Sequence, residues 1–142
     1  MDYEKRKNDD LKFGFKNEAD FLPIMREVID PLLARTSLKF YPFDYVSPNT
    51  YAELKSRKLP RNNFDSLMIG EYKIQQSIKT NKDVYFVWNF YEEYYVYKFN
   101  KEDIESGKIV FRDDGGRRDR GRDETKRCAY ISVDITTRYE KN

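Results

Sequence analysis

Phe40-Tyr-Pro-Phe-Asp-Tyr-Val-Ser-Pro-Asn-Thr-Tyr-Ala-Glu-Leu-Lys-Ser-Arg57 reads as two extended runs joined by a tight turn. Ser47-Pro48-Asn49-Thr50 fits a type I turn, with Pro48 at the second position where its fixed φ is favourable. A four-residue loop sets Val46 opposite Tyr51 and Asp44 opposite Glu53. Side chains alternate along a strand, so Thr50, Ala52 and Leu54 take one face and Tyr51, Glu53 and Lys55 the other. Asp44, Glu53 and Lys55 then share a face, the facing pair about 5 Å apart at Cβ. A one-residue change in the turn would send Asp44 to the opposite face. Facing carboxylates repel; a divalent cation held by both removes the repulsion, because hard cations take oxygen ligands. Lys55 lies within reach of a water or a phosphate at that cation. Glu-x-Lys alone is a common strand pattern, and the second acid across the turn is what gives it chemical content.

Composition narrows the chemistry. The 142 residues suit one domain with a real core. Charged residues make up 37%, but 12 Tyr and 10 Phe argue against wholesale disorder despite a mean hydropathy of -0.93. Net charge is +2, so any footprint for a polyanion must be local. The single Cys128 excludes an internal disulfide and multi-cysteine zinc motifs, and the absence of histidine removes His-based triads, ligands and bases. Catalysis would have to run on carboxylates, Lys, Tyr or Ser, with a hard metal such as Mg²⁺. No apolar run approaches membrane-spanning length and no signal peptide is visible at the charged N-terminus, so a soluble, intracellular protein is expected.

Upstream, Asn17 caps a predicted helix whose apolar positions Phe21, Ile24, Met25, Val28 and Leu32 form a core-facing stripe, with Pro31 expected to kink or divide it. Glu18 lies on that stripe and points toward the sheet; a helix N-terminus also favours an acid for its dipole alone. Downstream, Arg57, Lys58 and Arg61 lie in a basic polar loop, followed by a short extended segment over residues 65–69. Glu71 to Lys79 reads as a helix, with Tyr72, Ile74 and Ile78 available for packing and Lys73, Gln75 and Gln76 on its polar side. Asp83 to Phe90 is the clearest strand, apolar enough to be buried on both faces. Tyr94 to Phe99 is a second, with Tyr94, Val96 and Lys98 on one face and Tyr95, Tyr97 and Phe99 on the other. Residues 101–106 form a short acidic helix or turn, and 108–111 a short strand. Residues 112–127 carry glycines and Arg117, Arg118, Arg120 and Arg122, which predicts a mobile loop able to track a nucleic-acid backbone or to remain solvated. Residues 128–135 alternate as a closing strand buried on one side, and 136–142 form a polar tail.

Pro42-Phe43-Asp44 and Glu53-Leu54-Lys55, extended by Ser56-Arg57, resemble the PD-(D/E)XK nuclease superfamily, at a spacing short for that group. The likeness covers about residues 16–99 and implies an α/β fold, a mixed central β-sheet flanked by helices with a restriction-endonuclease-like core, in a single domain over residues 1–142. It implies a metal-dependent endonuclease acting on DNA. Asp44, Glu53 and the Leu54 carbonyl would ligate Mg²⁺ or Mn²⁺, and Lys55 would act on the water or the transition state. A first-helix acid, Glu18 or else Glu27, would complete the metal site. Arg57, Lys58, Arg61, Lys73, Gln76 and the four loop arginines are candidate nucleic-acid contacts, and a homodimer is a further expectation from the likeness. Two alternatives stay open: a nucleic-acid-binding module that does not cleave, and a protein-interaction module with an exposed tyrosine surface.

Overall fold

Aromatic and β-branched runs separated by polar turns set the strands; the structure, a computed structural model, describes residues 17–36, 41–57, 65–117 and 124–141. Helix α1 covers residues 17–28. Then come β1 (Ala34–Arg35), β2 (Tyr45–Val46), β3 (Thr50–Ser56), β4 (Ser66–Gly70) and α2 (Glu71–Lys79). The chain continues through β5 (Asp83–Asn89), β6 (Glu93–Lys98), α3 (Glu102–Glu105), β7 (Ile109–Arg117), β8 (Glu124–Ser132), a 3-10 turn at Val133–Ile135 and β9 (Thr137–Glu140). The fold is mixed α/β. A six-stranded sheet runs β1-β2-β3-β5-β6-β9, and a three-stranded sheet runs β4-β8-β7.

The turn sets the hairpin register as expected: Val46 pairs with Tyr51 and Tyr45 with Ala52. β3 and β5 run parallel from Thr50↔Asp83 to Ser56↔Asn89, and the other pairings of the large sheet are antiparallel. A parallel pair needs a long crossover. Here β4 and α2 lie along it, so α2 comes to one face of the large sheet while α1 lies on the other.

Alternation along the central strands divides the core. Ala52, Leu54, Val87, Tyr94 and Val96 pack with Phe21, Met25, Leu33 and Tyr45 on the α1 side. Phe86, Trp88, Tyr95 and Tyr97 pack with Phe43, Ile74 of α2, and Leu67, Ile69, Ile109, Ala129 and Ile131 of the small sheet. Trp88 Nε1 also donates to the Met68 carbonyl at 2.9 Å, joining the two sheets. β5 is buried on both faces, and β6 divides its side chains as predicted.

Several expectations need correction. Leu32 is 66% exposed and Leu33 is buried in its place. The helix stops at residue 28, and Asp30 closes a turn by accepting from the Leu32 and Leu33 amides, which rotates Leu32 outward. α2 spans the expected residues, but it buries Ile74 and Ser77 while Tyr72 and Ile78 are exposed. Residues 112–117 and 124–127 are not loop but the outer part of the β7–β8 hairpin, paired as far as Arg117↔Glu124 with a register shift between Arg112 and Gly115. Backbone hydrogen bonds hold that ladder whatever the side chains. Cys128 is buried alongside Ala129, so the closing strand is not one-sided there; it ends at Ser132, whose Oγ accepts from Asp134 N at the start of the 3-10 turn. The supposed tail contains β9, which covers the edge of β6. Among the described residues, no helix is long and apolar enough to cross a membrane.

Candidate functional site

Asp44 stands where the β2–β3 ladder opens. Ser47 N donates to the Thr50 carbonyl at 2.8 Å, and alternation along an antiparallel pair would place the next hydrogen-bonded pairs at Tyr45 with Ala52 and Phe43 with Leu54. At the last of these a carboxylate replaces the carbonyl: Leu54 N donates to Asp44 Oδ2 at 2.9 Å. The Phe43 carbonyl turns instead to Thr36 Oγ1 at 2.9 Å. Thr36 also holds the Asp44 carbonyl, through its amide at 2.9 Å and its hydroxyl at 3.1 Å. Asp44 N in turn donates to Glu53 Oε1 at 3.2 Å. The two acids are thus tied across the strands, and the Leu54 carbonyl leaves on the same strand edge as its N–H.

Glu53 is 4% exposed, which is unusual for a carboxylate. Its two oxygens meet two lysines: Lys73 Nζ of α2 lies 3.3 Å from Oε1, and Lys55 Nζ lies 4.0 Å from Oε2. Burial pushes the Glu53 carboxyl up to about 7, the Asp44 charge adds to that, and Lys73 and Lys55 oppose it. Desolvation pulls the Lys55 ammonium below its ordinary range, Glu53 pulls the other way, and the Arg57 charge adds to the lowering. Lys55 keeps 35% of its side chain exposed, so it can still meet a ligand from solvent.

Glu18 approaches from the first turn of α1. Tyr45 on the α1 face of β2 donates its hydroxyl to the Glu18 carbonyl at 2.7 Å, which fixes that turn over the hairpin. The Glu18 carboxyl is pushed up to about 8, by burial first and then by a hydrogen bond with the Asp44 carboxyl and its charge. Arg35, 3.5 Å from Glu18 Oε2, opposes the rise. Glu27, the alternative acid, is exposed on α1. Of the two, Glu18 is the one beside Asp44.

Asp44, Glu53, Lys55 and Glu18 therefore come together, with Leu54 supplying backbone atoms. The nucleic-acid candidates divide. Arg57 follows β3 directly, its amide donating to the Asn89 carbonyl at 2.9 Å. Lys73 is turned onto Glu53, and Gln76 is half-buried on α2. Arg117 ends β7. Lys58, Arg61, Arg118, Arg120 and Arg122 lie outside the described residues. Sequence reasoning placed Lys73 near the site but missed its pairing with Glu53, and it missed Arg35, Thr36 and Tyr45. Tyr45 had a readable signal, since alternation from Asp44 turns it toward the face where the upstream helix packs.

Oxygen donors from Asp44, Glu53, Glu18 and the Leu54 backbone suit a hard divalent cation. Each acid is turned to a protein partner, and among the described residues no three acidic, histidine or cysteine side chains form a ready-made metal group. Comparison with protein-family models, curated proteins and solved structures finds no match to this chain.

Proposed function

We propose that the protein is a Mg²⁺- or Mn²⁺-dependent endonuclease that hydrolyses phosphodiester bonds in DNA, on a restriction-endonuclease-like core. The observation that carries this reading is the meeting of Asp44, a buried Glu53 and Lys55 at the open end of one hairpin, with Glu18 against Asp44. Burying a carboxylate is costly unless it is compensated, and two acids at this depth favour positive charge, which Lys73 and Lys55 supply in part and a divalent ion would supply further.

Asp44, Glu53 and the Leu54 carbonyl would hold the ion, and Glu18 would orient Asp44 or extend the site. Such an ion supplies Lewis-acid chemistry, lowering the pKa of water and neutralising charge on the scissile phosphate. Lys55 places an ammonium beside that phosphate, where it holds the attacking water in line and offsets charge developing in the transition state. Burial around Glu53 keeps bulk water away, which strengthens each of these interactions. Arg57, Lys58 and Arg61 follow the site in sequence and would bind flanking phosphates, as would Arg117, Arg118, Arg120 and Arg122.

The test is nicking of supercoiled plasmid with Mg²⁺ or Mn²⁺, combined with calorimetric Mn²⁺ titration. Wild type should nick and bind; Asp44→Ala and Glu53→Ala should do neither while keeping the fold. Unchanged Mn²⁺ affinity in both variants would remove the assignment. The ion pair already present at Glu53 favours a second reading, a DNA-binding module without cleavage, and metal-independent binding with no nicking would select it.

A further inference from the structure

Glu53 Oε1 is the oxygen that accepts from Asp44 N, on the side of the carboxylate tied to β2. That atom is already taken by an ammonium, since Lys73 Nζ lies 3.3 Å from it. The same Nζ donates to the Pro42 carbonyl and stands 5.6 Å from the centroid of the Phe43 ring. A carboxylate, a carbonyl and an aromatic face thus surround one positive charge, an arrangement each part of which favours a cation.

We infer that Lys73 is a built-in counter-cation that competes with a divalent ion for Glu53. The inference rests on the metal-dependent reading above and goes beyond it. Lys73 is the nearer of the two lysines at Glu53, and it comes from α2 on a flexible four-carbon stem, with 23% of its side chain exposed. It can leave without any movement of β2 or β3. Lys55, on the same strand as Glu53, contacts the other oxygen and stays beside the site when Lys73 departs.

Two consequences follow. Without an ion, Lys73 offsets the charge of a carboxylate that is otherwise poorly solvated. When an ion enters, like-charge repulsion moves the ammonium off Oε1, and a phosphodiester at the site gives it a new partner. Ion and nucleic acid then assist one another, and the coupling must be reciprocal.

The experiment is Mn²⁺ calorimetry, without DNA, on wild type and on Lys73→Met, Lys73→Gln and Lys73→Arg, each checked for native circular dichroism and melting. Lys73→Gln serves if Lys73→Met fails to fold, since its amide can still donate to the Pro42 carbonyl. The neutral variants should bind Mn²⁺ roughly tenfold or more tightly than wild type, on the scale of removing one like charge a few ångströms away. Lys73→Arg should stay near wild type. Folded neutral variants that bind Mn²⁺ no more tightly than wild type would overturn the inference while leaving the metal reading in place. Lys73→Arg binding as tightly as Lys73→Met would overturn it equally. Absence of Mn²⁺ binding in wild type and every variant would remove the metal reading and this inference with it.

Discussion

β3 and β6 flank the same central strand, one parallel to β5 and one antiparallel, and both bury most of their side chains. They solve the problem of buried polar atoms in opposite ways. β6 buries tyrosines whose tips reach nearby acids: the Tyr95 hydroxyl donates to Glu93 at 2.8 Å and the Tyr97 hydroxyl to Asp103 at 2.6 Å. The acid is left nearer solvent and the ring supplies the apolar bulk. β3 buries the charge itself, at Glu53, and needs lysines from two elements to compensate it. A strand that only had to fill the core would have no need of that arrangement. On the proposed reading, β3 is the strand where stability would be given up for chemistry, and β6 the strand where it is gained.

The widest separation between the two strands should come from activity. Lys55→Ala should bind Mn²⁺ at least as tightly as wild type, since it also removes a like charge, and should lower plasmid nicking by on the order of a hundredfold or more, the scale of removing one transition-state interaction. Nicking at the wild-type rate would make Lys55 an ordinary strand residue and erase the distinction. On β6 the outcome should reverse. Tyr97→Phe removes a hydroxyl that donates to Asp103 and accepts from Asn100 N at 3.2 Å. It should cost about 1 kcal/mol in urea unfolding with nicking unchanged.

pH sharpens the comparison further. Glu53 and Glu18 are raised from 4.5 to about 7 and about 8 in the folded protein, chiefly by burial. The native state then holds protons that the unfolded chain has already released. Their contribution to stability is fully present below pH 4.5 and is lost as pH rises through about 7 to 8. Melting temperature should fall across that window, and Glu53→Gln or Glu18→Gln should flatten the fall. A melting profile just as steep in both variants would show that other groups titrate there.

The smallest effect on stability is expected in the arginine-rich stretch. Replacing Arg117, Arg118, Arg120 and Arg122 with Gln should change stability by less than about 0.5 kcal/mol. Every arginine that pairs with a phosphate should, once replaced, reduce the slope of log DNA affinity against log salt by about 0.7 to 0.9. An unchanged slope would shift the DNA footprint to Arg57, Lys58 and Arg61.

How much of this was legible in the chain differs by region, for physical reasons. Pro48 and the turn length fixed the Val46–Tyr51 register, and from it the juxtaposition of Asp44 with Glu53. α2 was legible in extent but not in orientation, because Ile78 is as apolar as the Ile74 that packs and Tyr72 offers a ring of similar bulk. The β7–β8 extension was hidden because glycines and arginines carry no strand pattern, whereas the pairing runs through backbone groups. β9 was hidden for a related reason: Thr137–Glu140 is mostly polar, and although Tyr139 stacks on Tyr94, the element is defined by its backbone pairing with β6. The pairing of Lys73 with Glu53 depends on the crossover that returns α2 to the large sheet, and no local signal encodes a contact of that range.

That crossover also bears on how the chain assembles. β2–β3 and β5–β6 are neighbouring pairs in sequence, whereas β4 must find β8, joining Ser66 to Ser132 and Gly70 to Cys128. Loop-closure entropy and contact order make such distant pairings slow relative to local hairpins. α2 begins at Glu71, the residue after Gly70, and Arg127 of β8 reaches Glu71 at 2.6 Å. The helix is therefore anchored to the sheet whose β4–β8 pairing spans Ser66 to Ser132. On that ordering Glu53 would enter the hairpin with Lys55 beside it, and the ammonium of α2 would join only after the distant β4–β8 pairing.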